Sequence, residues 1–110
     1  MAKTKEFEDK SIMLSAFAKA LGHPARIAIL RTIAMKGGEV KGETIEVSSL
    51  APATVFQHLR ELKKAGIING RLFGKRSHYQ INWEFLKKNL ISFEHFSEFL
   101  KENYTDPSSS

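Results

Sequence analysis

The chain has 110 residues, 42% of them hydrophobic and 26% charged, with a formal net charge of +5; this describes one ordinary globular domain. It has no cysteine, which excludes disulfides, thiolate metal sites and cysteine nucleophiles. The opening MAKTKEFEDK holds no apolar signal core and no stretch approaches a membrane span, so the expected compartment is the cytoplasm.

In chain order, residues from about Glu6 to Leu21 read as a helix, with Phe7, Leu14, Phe17 and Leu21 on one stripe. Gly22-His23-Pro24 interrupts it, and Pro24 opens a second helix to about Met35, with Ile27, Leu30, Ile33 and Ala34 facing inward. Gly37-Gly38 ends that helix. From Glu39 to Ser49 two readings compete. The β-branched Thr44, Ile45 and Val47 suit a strand, whereas a short helix here would complete a two-helix unit.

Leu50 to Ile68, LAPATVFQHLRELKKAGII, is the most informative stretch. Val55, Leu59 and Leu62 form an apolar stripe at i, i+4 and i+7. Pro52 suits the first helical position, and Gly66 a left-handed residue after the last turn. Thr54, Gln57, His58, Arg60 and Lys64 point elsewhere. Hydroxyl, amide and imidazole groups on the first half of a short helix are chemically suited to base edges in a major groove. The same pattern also describes a plain amphipathic surface helix.

Beyond Gly66 the period changes. Runs on either side of Gly74-Lys75 make a β-hairpin with Lys75 and Arg76 at its tip and Arg71 on its first arm. After two helices such a hairpin is a wing, placed to lie along a phosphate backbone or simply to cover the core. Trp83 to about Lys101 is a last helix with two apolar stripes: Trp83, Leu86, Leu90, Phe93 and Leu100 on one, Phe85, Phe96 and Phe99 on the other. One small domain has little room for both stripes. The expectation is therefore a homodimer built on the first and last helices, through Phe7, Leu14, Phe17, Trp83, Leu86, Leu90, Phe93, Phe96 and Leu100. Residues 1–103 form one domain, and 104–110 read as a disordered tail.

Charge is unevenly spread. From Arg60 to Lys88 eight lysines and arginines face two acids, Glu61 and Glu84, for +6, while the rest of the chain nets −1. That concentration is the footprint expected for contact with phosphate.

Taken together, LGHPARIAIL, APATVFQHLRELKKAGII and RLFGKRSHYQI in this order resemble the ArsR/SmtB family of winged-helix repressors, over roughly Leu14 to Leu100. The resemblance implies a mainly α fold with a small β-hairpin, a winged helix-turn-helix dimerising through its first and last helices. It implies a transcriptional regulator, usually a repressor released by an effector, that binds a palindromic site on double-stranded DNA. Carried over by position, Thr54, Gln57 and His58 face bases, while Arg60, Lys64, Arg71, Lys75 and Arg76 meet phosphates. Two departures stand out: Ala51 replaces a capping Ser, which loses about 1 kcal/mol, and Phe56 replaces a small polar residue. Phe56 is suited either to a thymine methyl or to the core.

The family's thiolate metal pair would fall at Val40 and Gly42, neither of which can ligate. Its second site, built from the terminal helices across the dimer, would fall at Asn82, Glu84, His95 and Glu98. Glu84, His95 and Glu98 are zinc-competent, with His95 and Glu98 at i, i+3; the amide at Asn82 breaks the set, and the His–Glu pair reads equally as a helix-surface pair. No cofactor is expected. A ligand-binding seam between the first and last helices is a further expectation, its effector unknown. No phosphate loop, nucleophile elbow or zinc-protease motif points to an enzyme. The alternative is a winged helix that docks on proteins, for which Phe56 on the reading face is an argument.

Overall fold

The computed structural model describes residues 7–73 and 76–107. Four helices and three strands follow in the order α1 (Asp9–Ala20), α2 (Pro24–Met35), β1 (Glu39–Lys41), α3 (Pro52–Lys64), β2 (Ile68–Phe73), β3 (Arg76–Ile81) and α4 (Trp83–Glu102). A single 3-10 turn at Gly42–Thr44 stands between β1 and α3.

The helix ends have local causes. His23 Nδ1 accepts the Ala25 N–H at 3.0 Å, capping α2 ahead of its initial proline. At the other end, Gly37 and Gly38 take φ of +87° and +91°, and the Gly38 N–H reaches back to the Ile33 carbonyl at 2.9 Å. Only glycine adopts such angles without strain. Gly66, at φ +89°, closes α3 in the same way, with the Ile67 N–H on the Leu62 carbonyl at 3.1 Å. The start of α3 has no side-chain cap, since Ala51 offers none. Asn82 caps α4 by accepting the Phe85 N–H at 3.2 Å.

Glu39 to Ser49 holds no α-helix. Val40 pairs with Tyr79 in an antiparallel strand, so the expected two-stranded hairpin is a three-stranded sheet of order β1-β3-β2. After the 3-10 turn, Ile45 and Val47 tuck into the core, in keeping with their poor helix propensity. The inward face of α2 is also shifted by one position. Ile29 and Ile33 are fully buried while Ile27 is exposed and so is Ala34.

The core gathers Ile29, Ile33, Leu59, Leu62, Ile67 and Ile68, all essentially inaccessible to solvent. Two expected interface residues belong to this core: Phe17 is 3% exposed and Leu86 5%, because the inner faces of α1 and the first turn of α4 close the body of one chain. They are corrected from interface to core. The other faces of these helices stay open: Phe7, Trp83, Leu90, Phe93, Phe96, Phe99 and Leu100 are exposed, and Leu14 is half-buried. Past Leu90 the last helix carries its apolar side chains into solvent. The radius of gyration is accordingly 17.1 Å, against about 13 Å for a compact chain of this length.

Candidate nucleic-acid interface

Helix α3 shows four sides. Val55, Leu59 and Leu62 enter the core. Ala53, Gln57, Arg60 and Lys64, at i, i+4, i+7 and i+11, are exposed and form one outward stripe. One flank, through Phe56 and Lys63, meets the 3-10 turn and the sheet. The other, through Thr54, His58, Glu61 and Ala65, is half-buried and carries His58 toward α2.

The expected base-reading residues therefore separate. Gln57 projects outward, Thr54 is half-buried beside it, and His58 is engaged elsewhere. Arg26 Nε donates to His58 Nδ1 at 3.2 Å, and the His23 and His58 rings lie 4.4 Å apart between centroids. Arg26 also donates from Nη1 to the Ala20 carbonyl at 3.2 Å, so one guanidinium ties the end of α1 to α3. In this arrangement His58 positions α3 rather than facing outward. Its Nδ1 is occupied because the α2 entry crosses that flank. Ala53, absent from the residues expected to read bases, stands on the outward stripe; its spacing from Gln57 was the available signal.

Burial, followed by the charges of His23 and Arg26, holds His58 below its ordinary pKa. The unfolded chain then binds the proton more readily than the folded one. Stability is unaffected above about pH 6.5, and falls as pH drops through the lower folded value. Thermal melts of the wild type and His58→Gln should run parallel near pH 8 and diverge toward pH 5, with the wild type losing more. Parallel curves throughout would show that the imidazole carries no such penalty.

Phe56 is turned away from the outward stripe. Its ring edge, at Cε1, lies 2.9 Å from where a Cβ on Gly42 would stand, and Tyr79 Cε2 lies 2.8 Å from the same point. Only a glycine fits there. Beside it, Glu43 accepts the Ser77 N–H at 2.6 Å and the Ser77 hydroxyl at 3.0 Å, pinning β3 to the 3-10 turn. Backbone hydrogen bonds, first from Glu43 itself and then from Ser77, hold that carboxyl below its usual range. Burial, with a smaller contribution from the Glu43 charge, pushes the Tyr79 hydroxyl up.

Of the expected phosphate contacts, Arg60, Lys64, Arg71 and Arg76 are exposed, on α3 and the sheet. Lys75 lies outside the described residues. Among the described residues no three His, Asp or Glu side chains come together as a metal site. Glu84 and His95 are eleven residues apart on α4, about 16 Å along the axis, so one chain cannot bring them to one ion; Asn82 is occupied as a cap. Between α1 and α4 runs an open groove of about 580 Å³, with Leu14, His95, Phe96 and Phe99 on its walls. No described helix is long and apolar enough to cross a membrane.

A three-stranded sheet with a hairpin following an exposed, basic-ended helix is the winged helix-turn-helix. No protein-family model matches the chain. It is 36% identical over 63 residues to MJ1325 of Methanocaldococcus jannaschii, described as an uncharacterized HTH-type transcriptional regulator, covering 57% of this chain and 71% of that protein. Its fold matches the crystal structure of the ArsR family transcriptional regulator RHA00566, with TM-score 0.70 and 20% identity over 86% of this chain and 96% of that one. It also matches the solution structure of the homodimeric winged helix-turn-helix domain Mb0332 from Mycobacterium bovis, a possible ArsR-family regulator. There the TM-score is 0.59 and the identity 23%, over 91% of this chain and 96% of that one. The chain belongs to the helix-turn-helix transcriptional regulators and has the ArsR-type winged-helix fold.

Proposed function

We propose that this protein is a dimeric, sequence-specific DNA-binding repressor without a thiolate metal site. The observation that carries the reading is the outward stripe of α3, where Gln57 precedes Arg60 and Lys64 directly opposite the buried Val55, Leu59 and Leu62. Gln57 offers an amide suited to bidentate pairing with adenine, and the two cations farther along the same stripe are suited to phosphates. The exposed apolar faces of α1 and α4, through Phe7, Leu14, Trp83, Leu90, Phe93, Phe96 and Leu100, are the proposed dimer surface. The homodimeric state of the Mycobacterium bovis relative supports this. Two reading helices related by a two-fold axis suit a palindromic operator. The protein-docking alternative loses its main support, because Phe56 lies against Gly42 rather than on the outward stripe.

The test is a fluorescence-anisotropy titration of DNA from upstream of its own gene against a scrambled duplex, over a range of salt. Binding should prefer the upstream DNA and weaken steeply with salt. Gln57→Ala should cost about 1–3 kcal/mol and relax preference at one base pair, whereas Lys64→Ala should weaken both duplexes alike. Loss of binding to both duplexes by the same factor in Gln57→Ala would remove Gln57 as the reading residue.

A further inference from the structure

The LGHPAR stretch at 21–26 borders a cleft on the α2 side of α3. The end of α1, the entry of α2 and the end of α3 surround about 440 Å³, walled by Lys19, His23, Arg26, Glu61 and Lys64, with Gly22 and three alanines between them. His23 Nδ1 accepts the Ala25 N–H at 3.0 Å, so the neutral ring carries its proton on Nε2 and donates there. A metal-ligating imidazole donates from the nitrogen that does not hold the metal, and here that nitrogen accepts. The ring therefore suits an anion. Of its five N–H groups, Arg26 commits one to His58 and one to the Ala20 carbonyl; the others can donate. Lys19 and Lys64 are exposed. Three cations against the carboxylate of Glu61, with His23 neutral, leave the cleft at +2.

We propose that this cleft binds a small hydroxylated phosphate monoester, of the sugar-phosphate class, and that its occupation weakens DNA binding. A phosphate monoester carries about −1.5 to −2 at neutral pH, which complements the +2. Its oxygens accept from the four basic side chains. Glu61 repels a bare anion but accepts hydroxyl protons, which selects a ligand with hydroxyls beside its phosphate. The small residues leave room for a carbon skeleton, and the volume falls in the range of small-molecule sites, about 300–1,000 Å³. The effect on DNA comes through Lys64, which stands both in the cleft and on the outward stripe of α3. A ligand that holds Lys64 withdraws it from DNA, and linkage makes the two antagonists. The antagonism rests on the DNA-binding reading above; the site itself does not. A DNA phosphate is the competing occupant.

The experiment titrates the full chain by calorimetry, without DNA, with glucose 6-phosphate, ribose 5-phosphate and glycerol 3-phosphate. Inorganic phosphate and glucose, at matched ionic strength, are the comparisons. At least one ester should bind once per chain and more tightly than inorganic phosphate, and glucose should not bind. Lys19→Gln should weaken that ester about tenfold or more, through loss of a charged donor. Glu61→Ala should act in opposite directions, weakening the ester and tightening inorganic phosphate; a merely structural Glu61 would shift both alike. With ester saturating, the affinity of the wild type for the upstream DNA should fall about fivefold or more. Without ester, Lys19→Gln should bind that DNA as the wild type does. No ester binding, or none tighter than inorganic phosphate, would overturn the proposal. A Lys19→Gln chain that binds DNA more weakly in the absence of ester would assign the cleft to a DNA phosphate and overturn it equally. Ester binding without any effect on DNA affinity would overturn the antagonism. Ester binding by a chain that binds no DNA would overturn the DNA-binding reading and leave the site standing.

Discussion

Phe93→Glu combined with Phe96→Glu is expected to yield a folded monomer whose affinity for operator DNA is lower by about 10²–10⁴-fold. Both side chains are exposed in the single chain, so the body of the domain does not depend on them. Two carboxylates placed in an apolar interface are desolvated without partners, which opposes association strongly. A linked pair of reading helices binds its second half-site as an intramolecular event; a monomer loses that advantage entirely. Sedimentation should report the halved mass, far-UV circular dichroism an unchanged helix content, and anisotropy the lost affinity. A variant that remains dimeric would move the interface away from α4.

Leu59→Ala should have the largest effect on stability. Leu59 has no solvent exposure and lies in the core beneath the outward stripe of α3. Truncation of such a leucine costs about 2–5 kcal/mol, through lost burial and the cavity left behind. Against a total stability of roughly 5–15 kcal/mol, the melting temperature should fall by about 10 °C or more. Met35→Ala, at an 81% exposed position on α2, is the control and should shift stability by less than about 0.5 kcal/mol. At temperatures where both variants are folded, DNA preference should match the wild type, since neither side chain stands on the outward stripe of α3. A melting point unchanged in Leu59→Ala would mean that α3 is not seated on this core.

The amino-acid sequence by itself determined the elements whose signals are local. Pro24, Pro52, Gly37, Gly38 and Gly66 punctuate the helices because their backbone preferences act within a few residues. The Val55, Leu59 and Leu62 stripe identified the core side of α3, and the change of period after Gly66 identified the hairpin. The basic segment from Arg60 onward was also legible, because charge is a sum over composition.

Tertiary structure decided what depends on a neighbour. Helical periodicity separates inside from outside but cannot assign the flanks, so His58 reads as outward until the entry of α2 supplies Arg26 and His23 beside it. Phe56 has two chemically sound destinations, and the bare backbone of Gly42 selects one. Residues 39–41 have no strand partner within their own stretch; pairing with Tyr79, 39 positions beyond Val40, makes them β1 and brings Lys41 into line with His78 and Arg71. Phe17 and Leu86 share the composition of their exposed neighbours, and only the packing of α1 and α4 on one core sets them apart. In each case the deciding contact joins residues distant in sequence, and local propensity holds no record of such contacts.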